Sequence, residues 1–439
     1  MQTLFYNVRL VDAFCDTDGA VLVENGFISD IFWGHIKPAS IFSSKEGEQM
    51  LCIDGKGLAL MPAFVDMHAH FRYPGLPQKE ELDTALRAAA AGGFGTLLLM
   101  PNTKPVVSSP EQAKKVQLDA QKHNLADVIQ SLSITGDFGG EDTSHLDNLD
   151  CTQFPVVSED GFDVEAASVM FEAMKKCAKN NIIVSCHCED VSLAKAAKVP
   201  RKAAIEIKQS DAPDQVEIKK NMAEAERLLA LAEDLATTRN LALAEAADCN
   251  IHITHCSTTN SLAAVAAAKT KRNSKVSCDV TPHHIYLSDK VKEFVNPPIR
   301  SEADRLALIA GIKNGTVDMI GTDHAPHTLQ DKADGACGFT GLETAFAVCY
   351  QALVLSGAIS LSELSALMSA NPAKRLGVNC GILRPGRQAN FVLIDLQEKW
   401  TVDSTKFFSK GKYSPYNGET FQGKIMQTYR RGKLIYNAE

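Results

Sequence analysis

Residues 60–70 read LMPAFVDMHAH, an apolar run that ends in two histidines separated by one alanine. The apolar residues of this run predict a buried strand, and alternate residues of a strand point to the same side. His68 and His70 therefore leave the core on one side of the strand, where two neutral imidazoles can bind one divalent metal ion. Two protein ligands leave coordination positions open, which is typical of a catalytic metal site.

Arg72 lies two residues further along the same alternation and adds a fixed positive charge at the opening. A His-x-His pair alone is also compatible with histidines of an ordinary core or surface. The strand end is therefore a metal site only if other parts of the chain supply further ligands.

After this stretch, apolar runs alternate with alanine-rich helical segments such as 82–91, 164–179 and 216–247. This alternation is the pattern of β/α units with a parallel sheet, and eight units favour a closed barrel over an open sheet. The sequence thus predicts an α/β fold with a (β/α)8 TIM-like barrel. The eight predicted strands are Ala63–Met67, Thr96–Met100, Asp127–Ile134, Phe154–Val157, Ile182–Ser185, Ile251–Thr254, Lys275–Val280 and Val317–Ile320.

The two ends of the chain differ from its middle, because both consist of short strands and turns without a long helical period. We expect the two ends to pair as one small β-sandwich domain beside the barrel. The predicted division is 1–57 for the N-terminal part of the β-sandwich, 58–378 for the barrel and 379–439 for the C-terminal part of the β-sandwich.

Composition and charge exclude several classes of partner and compartment. The 439 residues carry a net charge of −8, which argues against nucleic acid or an acidic membrane as the main partner. No apolar run reaches transmembrane length, and the first residues lack a signal-peptide pattern. The twelve cysteines are scattered without a framework spacing, so we expect reduced thiols in a cytoplasmic protein.

In a (β/α)8 barrel the chemistry lies where the strands meet the loops that follow them. Six metal-ligating residues occupy these junctions and are expected to converge on one mouth: His68, His70, Asp160, His187, His255 and Asp323. Imidazole and carboxylate ligands suit zinc, with cobalt or manganese as alternatives. One or two such ions lower the pKa of a bound water toward about 7. The set therefore predicts metal-assisted hydrolysis.

Other polar residues near the junctions have structural interpretations. His252 lies inside an apolar strand and is expected to pack in the core. Structural or supporting roles are expected for three further histidines: His283, His284 and His324. Glu159 is the less favoured member of the acidic pair that it forms with Asp160.

Six motifs follow one another along the barrel segment. They are FVDMHAHFR at 64–72, MPNT at 100–103, SCHCED at 185–190, DVTPHH at 279–284, NPPIR at 296–300 and GTDHAPH at 321–327. Together they resemble dihydroorotase of the class I bacterial type, in the amidohydrolase superfamily. The resemblance covers nearly the whole chain, and the motifs stand in the family's order.

The resemblance implies two metal sites at the barrel mouth. A buried ion would be held by His68, His70 and Asp323, and a second ion by His187 and His255. Many relatives bridge the ions with a carbamylated lysine on strand four, but residues 154–161 contain no lysine. Class I bacterial enzymes use an aspartate there, so the SEDG stretch at 158–161 implies Asp160 as the bridge, with Glu159 as a departure from the family's pattern.

The resemblance also implies a substrate, the cyclic ureide dihydroorotate, which carries one carboxylate. Three side chains would hold the carboxylate and a fourth would hydrogen-bond the ring: Arg72, Asn102 and His327, and then Asn296. Backbone groups of Ala336 and Gly338 would meet the ring from a glycine-containing loop. Cys337 stands in that loop where an aromatic residue is usual.

The implied activity is the reversible hydrolysis of (S)-dihydroorotate to N-carbamoyl-L-aspartate, a step of de novo pyrimidine biosynthesis. Metal-bound hydroxide would attack the ring, and Asp323 would act as general acid and base. The implied cofactor is Zn2+, as one or two ions per subunit. A homodimer and an association with aspartate carbamoyltransferase stay open.

Two alternative functions also stay open. A dihydropyrimidinase, hydantoinase or allantoinase acts on a related ring, but the absent strand-four lysine and the presence of Arg72, Asn102 and His327 disfavour it. A non-catalytic dihydroorotase-like subunit that scaffolds aspartate carbamoyltransferase is expected to lose metal ligands, whereas this chain keeps all six.

Overall fold

The computed structural model describes residues 2–41, 50–210, 212–291 and 293–438. Its strands are β1 (Gln2–Asp12), β2 (Cys15–Glu24), β3 (Phe27–Trp33), β4 (Met50–Asp54), β5 (Ala59–Pro62), β6 (Phe64–Ala69), β7 (Phe94–Leu99), β8 (Asp127–Gln130), β9 (Val156–Ser158), β10 (Ile183–Cys186), β11 (Asn250–Ile253), β12 (Val276–Val280), β13 (Met319–Ile320), β14 (Phe391–Thr401), β15 (Thr420–Arg430) and β16 (Lys433–Asn437).

Most α-helices of the described chain lie between the strands of its middle part. They are α1 (Pro38–Ile41), α2 (Leu82–Ala91), α3 (Pro110–Gln121), α4 (Ala167–Lys179), α5 (Val191–Gln209), α6 (Gln215–Ala246), α7 (Thr259–Lys269), α8 (Pro282–Tyr286), α9 (Glu302–Lys313), α10 (Leu329–Ala333), α11 (Ala345–Cys349), α12 (Leu361–Ser365) and α13 (Asn371–Leu376). Short π-helical turns at Tyr350–Val354 and Ala366–Ala370 follow α11 and α12.

Eight parallel strands close into a barrel. Strands β6, β7 and β8 form one arc, and β9 to β13 form a second arc in chain order. Single parallel bridges join the two arcs, from Leu132 to Val157 at one seam and from Ala69 to His324 at the other. The predicted (β/α)8 barrel is confirmed, and its parallel strands bring the loops that follow them to one mouth.

Helix caps fix the loops that leave two of these strands. Asp190, just after His187, accepts a hydrogen bond from the amide of Leu193 and so begins α5. Thr258, just after His255, accepts one from the amide of Ser261 and begins α7. The stretch between each strand and its helix is therefore short, and each histidine is held between two fixed elements.

The ends of the chain form one eight-stranded sheet in the order β16-β15-β14-β5-β1-β2-β3, with β4 paired to β1. At its centre Phe5 packs edge to face against Phe391 and Tyr429, with ring centroids 4.9 and 4.8 Å apart. The expected pairing of both ends in a small β domain is thus observed. Because β5 belongs to this sheet, the sheet continues past residue 57, where the sequence placed its division.

A helical hairpin of α5 and α6 projects between β10 and β11. Helix α6 falls in the helical segment 216–247 predicted from the sequence, and Pro200 lies inside α5. Within the described residues, no helix combines the length and the apolar character that crossing a bilayer requires. The hairpin reaches the barrel mouth, where Ile205 lies beside Gly335 and the Arg201 guanidinium covers the ring of Phe294 at 4.5 Å.

Candidate metal centre

The first histidine pair lies at the end of β6 and faces the barrel mouth. His68 is 1% exposed and His70 is 6% exposed, and their Nε2 atoms are 3.2 Å apart. Oδ1 of Asp323, from the loop after β13, lies 3.1 Å from Nε2 of His70 and 3.6 Å from Nε2 of His68. The seam between β6 and β13 therefore places three predicted ligands together.

The second histidine pair comes from the opposite arc, from the loops that follow β10 and β11. Nδ1 of His187 lies 2.9 Å from Nε2 of His255, and both rings are buried. The ring centroids of His68 and His255 are 5.1 Å apart, so the two histidine pairs lie next to each other. Four imidazoles thus meet at one point of the mouth.

Asp160, after β9, lies between the two histidine pairs. Its Oδ1 is 3.2 Å from Nε2 of His68 and 3.5 Å from Nδ1 of His187, and its Oδ2 is 3.5 Å from Nε2 of His70. A carboxylate in that position can contact cations held by either pair. The six residues His68, His70, Asp160, His187, His255 and Asp323 are called the metal cluster below.

Glu159 points away from the metal cluster although it is the neighbour of Asp160. Its carboxylate accepts hydrogen bonds from the amides of Ile134 and Thr135, at 2.8 and 3.0 Å, and from the Thr135 hydroxyl. Burial raises its pKa, and these donors offset only part of that effect. The two acids therefore have separate roles, with Glu159 joining the loops after β8 and β9.

Opposite charges set the pKa values inside the metal cluster. Burial opposes ionisation of Asp160, but the rings of His68 and His70 hold its pKa well below the usual range. Burial likewise opposes protonation of His68, yet the carboxylates of Asp160 and Asp323 raise its pKa to about 9. The pKa of His255 moves the other way, because burial and the adjoining His187 both disfavour its charged form.

The donor set of the metal cluster fits a divalent cation. Two groups of three potential ligand atoms lie within 4.8 Å of one another, namely His68, His70 and Asp323, and His68, Asp160 and His255. In each histidine pair, two ring nitrogens face each other across a hydrogen-bond distance, and within the described residues the buried Nδ1 atoms of His68 and His255 have no hydrogen-bond partner. Imidazole nitrogens and carboxylate oxygens in a buried site are the ligands that zinc prefers.

Two buried aspartates behind the metal cluster were not singled out from the sequence. Asp66 accepts hydrogen bonds from the amides of His68 and Thr322, at 3.1 and 3.0 Å. Asp279 accepts one from the amide of His255 at 2.6 Å. The sequence signal was an acid inside an apolar strand, which indicates a partnered carboxylate because burying an unpaired one is costly.

His252 has the packing role that was expected of it. Its Nε2 lies 2.8 Å from Oδ2 of Asp279, and its Nδ1 lies 2.9 Å from the hydroxyl of Ser277. The ring therefore holds the carboxylate that in turn holds the backbone of His255. His252, which is not among the predicted metal ligands, thus supports the position of His255, which is one of them.

Three other histidines are buried near the mouth. The Nδ1 of His324 accepts hydrogen bonds from the amides of Gly341 and Leu342, and its Nε2 lies 3.8 Å from Glu80. His284 contacts the carbonyls that precede Ile299, those of Pro297 and Pro298, through Nε2. His283 packs its ring against His284 and Phe339. Their contacts agree with the structural roles expected for them.

Arg72 reaches the mouth by a route that differs from the expected one. Its φ of +54° is left-handed, so the strand alternation ends before it, and the chain turns there. The turn directs the guanidinium to the loop after β13, where Nε donates to the carbonyl of Pro326 at 3.2 Å and Nη2 lies 3.2 Å from Nε2 of His327. Nδ1 of His327 lies 3.2 Å from Nζ of Lys79. The residues Arg72, Lys79 and His327 are called the donor cluster below.

Asn102 and Asn296 contact the metal cluster from two sides. Oδ1 of Asn102 lies 3.0 Å from Nδ1 of His70, and its Nδ2 donates to Asp160 at 3.0 Å. Nδ2 of Asn296 lies 3.1 Å from Nε2 of His187 and donates to Glu189 at 3.1 Å. Both amides therefore orient metal-ligating side chains as well as facing the mouth.

The loop that carries Ala336 and Gly338 is held by a buried lysine. Nζ of Lys332 donates to the carbonyls of Ala336 and Gly338, at 3.0 and 2.9 Å, and to Glu293 at 2.7 Å. The amide of Gly338 donates to the carbonyl of Phe294 at 2.9 Å. The backbone groups expected to meet the substrate ring are thus engaged inside the protein, and Lys332 was not singled out from the sequence.

Gly338 is required by the close packing of this loop. Its φ is +107°, and a Cβ atom there would lie 2.6 Å from Cβ of Ala325. A side chain would therefore push the loop away from the segment that carries Asp323 and His327.

The chain matches known proteins over nearly its whole length. A sequence model of the amidohydrolase family matches residues 59–435. A dihydroorotase of Clostridium botulinum is 38% identical over 99% of this chain and all of the relative, and one of Bacillus subtilis is 36% identical over 88% of both. The first of these alignments therefore includes nearly every residue of this chain.

Solved structures show the same fold at lower sequence identity. The L-hydantoinase (dihydropyrimidinase) of Arthrobacter aurescens superposes with a TM-score of 0.85 at 24% identity, covering 99% of this chain and 96% of that one. A dihydropyrimidinase of Brevibacillus agri gives 0.81 at 19% identity, covering 100% and 95%. These neighbours establish the barrel with its β domain, and the family follows from the closer sequence relatives. The chain belongs to the amidohydrolase family, and within it to the dihydroorotases.

Proposed function

We propose that this chain catalyses the reversible hydrolysis of (S)-dihydroorotate to N-carbamoyl-L-aspartate, as a step of de novo pyrimidine biosynthesis. The observation that carries the proposal is the position of the donor cluster beside the metal cluster. Arg72 and His327 offer N–H groups for a carboxylate, while Asp323 of the metal cluster lies on the same loop as His327. Dihydroorotate carries both groups that such a site requires, a carboxylate and a hydrolysable ring amide.

The metal cluster would hold one or two zinc ions. His68, His70 and Asp323 would hold the inner ion, His187 and His255 the outer one, and Asp160 would contact both. A bound divalent ion polarises a carbonyl oxygen and lowers the pKa of a water molecule. Asn102 and Asn296 would keep the rings of His70 and His187 in the orientation that ligation needs.

Asp323 is the residue proposed to move protons. Its carboxylate is 8% exposed and borders His70, and neighbouring histidines hold its pKa below the usual range although burial opposes ionisation. It therefore starts as a base. It takes a proton from the attacking water as the new C–O bond forms, and it delivers that proton to the ring nitrogen as the C–N bond breaks. Ring closure reverses both transfers.

The donor cluster would bind the substrate carboxylate. The Arg72 guanidinium presents a planar set of N–H groups, and a carboxylate matches that geometry with two hydrogen bonds. His327 adds an N–H group beside it. A neutral ring such as hydantoin offers no anionic oxygen to Arg72, so binding it would leave the half-buried guanidinium without a carboxylate partner.

Dihydroorotate, hydantoin and allantoin assayed side by side would test this proposal. We expect turnover of dihydroorotate, loss of turnover after chelation and its return with zinc. Turnover of hydantoin or allantoin without dihydroorotate would replace the proposal with another cyclic amidohydrolase. A metal-free protein without any turnover would instead support a non-catalytic subunit that scaffolds aspartate carbamoyltransferase.

We also place the activity in the cytoplasm. All twelve cysteines lie in the described part of the chain and are free thiols, which suits a reducing compartment. Sedimentation of the purified chain, alone and with aspartate carbamoyltransferase, would test the homodimer and the association that the family resemblance leaves open.

A further inference from the structure

Lys79 belongs to the donor cluster but was not singled out from the sequence. It lies in the turn that follows Arg72, where the amide of Leu76 donates to the carbonyl of Arg72 and the amide of Lys79 donates to that of Leu76. These two bonds fix Lys79 beside Arg72. Its side chain is 21% exposed, and Nζ lies 3.2 Å from Nδ1 of His327 and 3.6 Å from Oδ2 of Asp331.

Three neighbours decide which nitrogen of His327 carries the proton. Nζ of Lys79 is a donor at Nδ1, the carbonyl of Cys337 is an acceptor 2.9 Å from Nε2, and Nη2 of Arg72 is a donor 3.2 Å from Nε2. A proton on Nε2 satisfies Lys79 and Cys337. A proton on Nδ1 satisfies only Arg72 and turns the other two contacts into repulsions. The contacts therefore favour the Nε2–H tautomer.

A doubly protonated ring is disfavoured at this position. Burial lowers the pKa of His327 to about 3, with further contributions from the charges of Arg72 and Lys79. The ring is thus neutral near pH 7. Its Nε2–H group then lies beside an N–H group of Arg72, and two adjacent donors are what a carboxylate requires.

We propose that Lys79 is a positioning residue for substrate recognition, because its ammonium group holds His327 in the Nε2–H tautomer that donates to the carboxylate next to Arg72. Without a substrate, the carbonyl of Cys337 accepts from Nε2–H. A bound carboxylate takes over that hydrogen bond and accepts from Arg72 as well. This inference rests on the proposed function, since it assigns Lys79 to recognition of an anionic ring.

Removal of Lys79 should change the tautomer. Without the ammonium group, the nearest charged neighbour of Nδ1 is Asp331, whose Oδ2 lies 3.8 Å away and attracts a proton to Nδ1. Nε2 would then accept from Arg72 and occupy the guanidinium. The substrate carboxylate would lose one donor and compete for the other.

Kinetics of Lys79→Met give the first test. We expect KM for dihydroorotate to rise about tenfold with kcat within about twofold, because one charge-assisted contact is lost in the bound state. Lys410→Met is the matched control, because Lys410 contacts Pro77 and Glu81 near the same turn. Its substitution by Met removes the same charge. In a His327→Gln background, Lys79→Met should change KM by less than about twofold. An unchanged KM in the native background, or a full tenfold rise in both, would overturn the proposal.

Nitrogen NMR of ring-labelled histidines gives a test that needs no turnover. We expect the wild-type His327 signals, assigned by their loss in His327→Gln, to show protonated Nε2 and unprotonated Nδ1, and Lys79→Met to move the proton toward Nδ1. A wild-type ring protonated at Nδ1 would refute the proposal even if Lys79→Met does not fold. Failure of the wild-type chain to hydrolyse dihydroorotate would refute the proposed function, while the tautomer would still be measured.

Discussion

The metal cluster and the donor cluster lie side by side at the barrel mouth, but they present opposite kinds of groups. The metal cluster collects lone pairs and negative charge, with ring nitrogens facing each other at 3.2 and 2.9 Å around Asp160. The donor cluster collects N–H groups and positive charge around His327. One half is complementary to a cation and the other to an anion.

This difference explains how one mouth orients a small ring. A substrate with a carboxylate at one end and a reactive amide at the other is complementary to both halves in only one direction. Asp323 and His327 come from the same loop after β13, so the distance between the two halves is set by a few residues of backbone. Each half can also be disabled separately, which makes the comparison testable.

The largest effect is expected from Asp323→Asn in the metal cluster. An amide cannot take the proton of the attacking water, so kcat should fall by about a thousandfold or more. Steady-state kinetics with dihydroorotate measure this loss, and circular dichroism checks that the fold persists. Because Asp334 is exposed at the end of α10 and lies outside both clusters, Asp334→Asn should keep most of the activity. A kcat within tenfold of the wild type for Asp323→Asn would contradict the role assigned to this residue.

The next effect concerns metal content and separates two neighbouring acids. Asp160→Asn should lose at least about half of its bound zinc after dialysis, because Asp160 contacts both histidine pairs. Glu159→Gln should keep its zinc, since Glu159 faces the amides of Ile134 and Thr135. Elemental analysis of the two purified variants is the measurement. Equal metal loss in both would mean that the acidic pair acts as a unit.

The third prediction concerns the donor cluster. Arg72→Met should raise KM for dihydroorotate by about 30- to 100-fold while zinc content stays unchanged, because charge-assisted hydrogen bonds are lost and the metal ligands are not. Arg227→Met is the control, since Arg227 is an exposed arginine paired with Glu224. If Arg72→Met lost its zinc instead, the two halves of the mouth would not be separable.

The sequence located the metal cluster better than the donor cluster. Strand ends can be predicted from apolar runs, and in a parallel barrel the carboxyl ends of all strands meet at one mouth. The six potential ligands could therefore be assigned to one site without knowledge of any interatomic distance. Arg72 was expected by extending the alternation of β6, but the chain turns with a positive φ and reaches the mouth differently. Lys79 and Lys332 could not be found this way, because their contacts depend on how separate loops pack.

Buried polar groups show the same limit of sequence-based prediction in the rest of the fold. Asp66 and Asp279 interrupt apolar strands, but only the structure tells which backbone amides they accept from. Helix α5 contains Pro200, which disfavours a helix locally, whereas packing along α6 stabilises it. Local patterns thus predicted element types and strand ends, and tertiary contacts decided the remainder.

The smallest predicted effect tests whether the acids of the metal cluster need charged neighbours to stay ionised, because burial alone opposes their ionisation. Glu343 is a largely buried acid outside the mouth whose carboxylate accepts from the amides of Phe408 and Ser409, at 3.0 and 3.2 Å. Burial raises its pKa to about 7, and these amides offset only part of that effect. Asp160, with imidazoles around it, has its pKa lowered instead.

The sign of the resulting pH dependence follows from the direction of this shift. The pKa of Glu343 in the unfolded chain is about 4.3, so between about pH 4 and pH 7 the folded protein binds a proton that the unfolded chain releases. The contribution of Glu343 to the free energy of unfolding therefore falls as pH rises through this window and is constant above it. Glu343→Gln has no such proton, so from pH 5 to pH 8 the wild type should lose roughly 2 kcal/mol relative to the variant. Urea unfolding of both proteins at the two pH values measures the difference, and any constant cost of the substitution cancels. Parallel pH profiles would show that burial does not raise the pKa of this acid, and charged neighbours would then not be needed to keep Asp160 ionised.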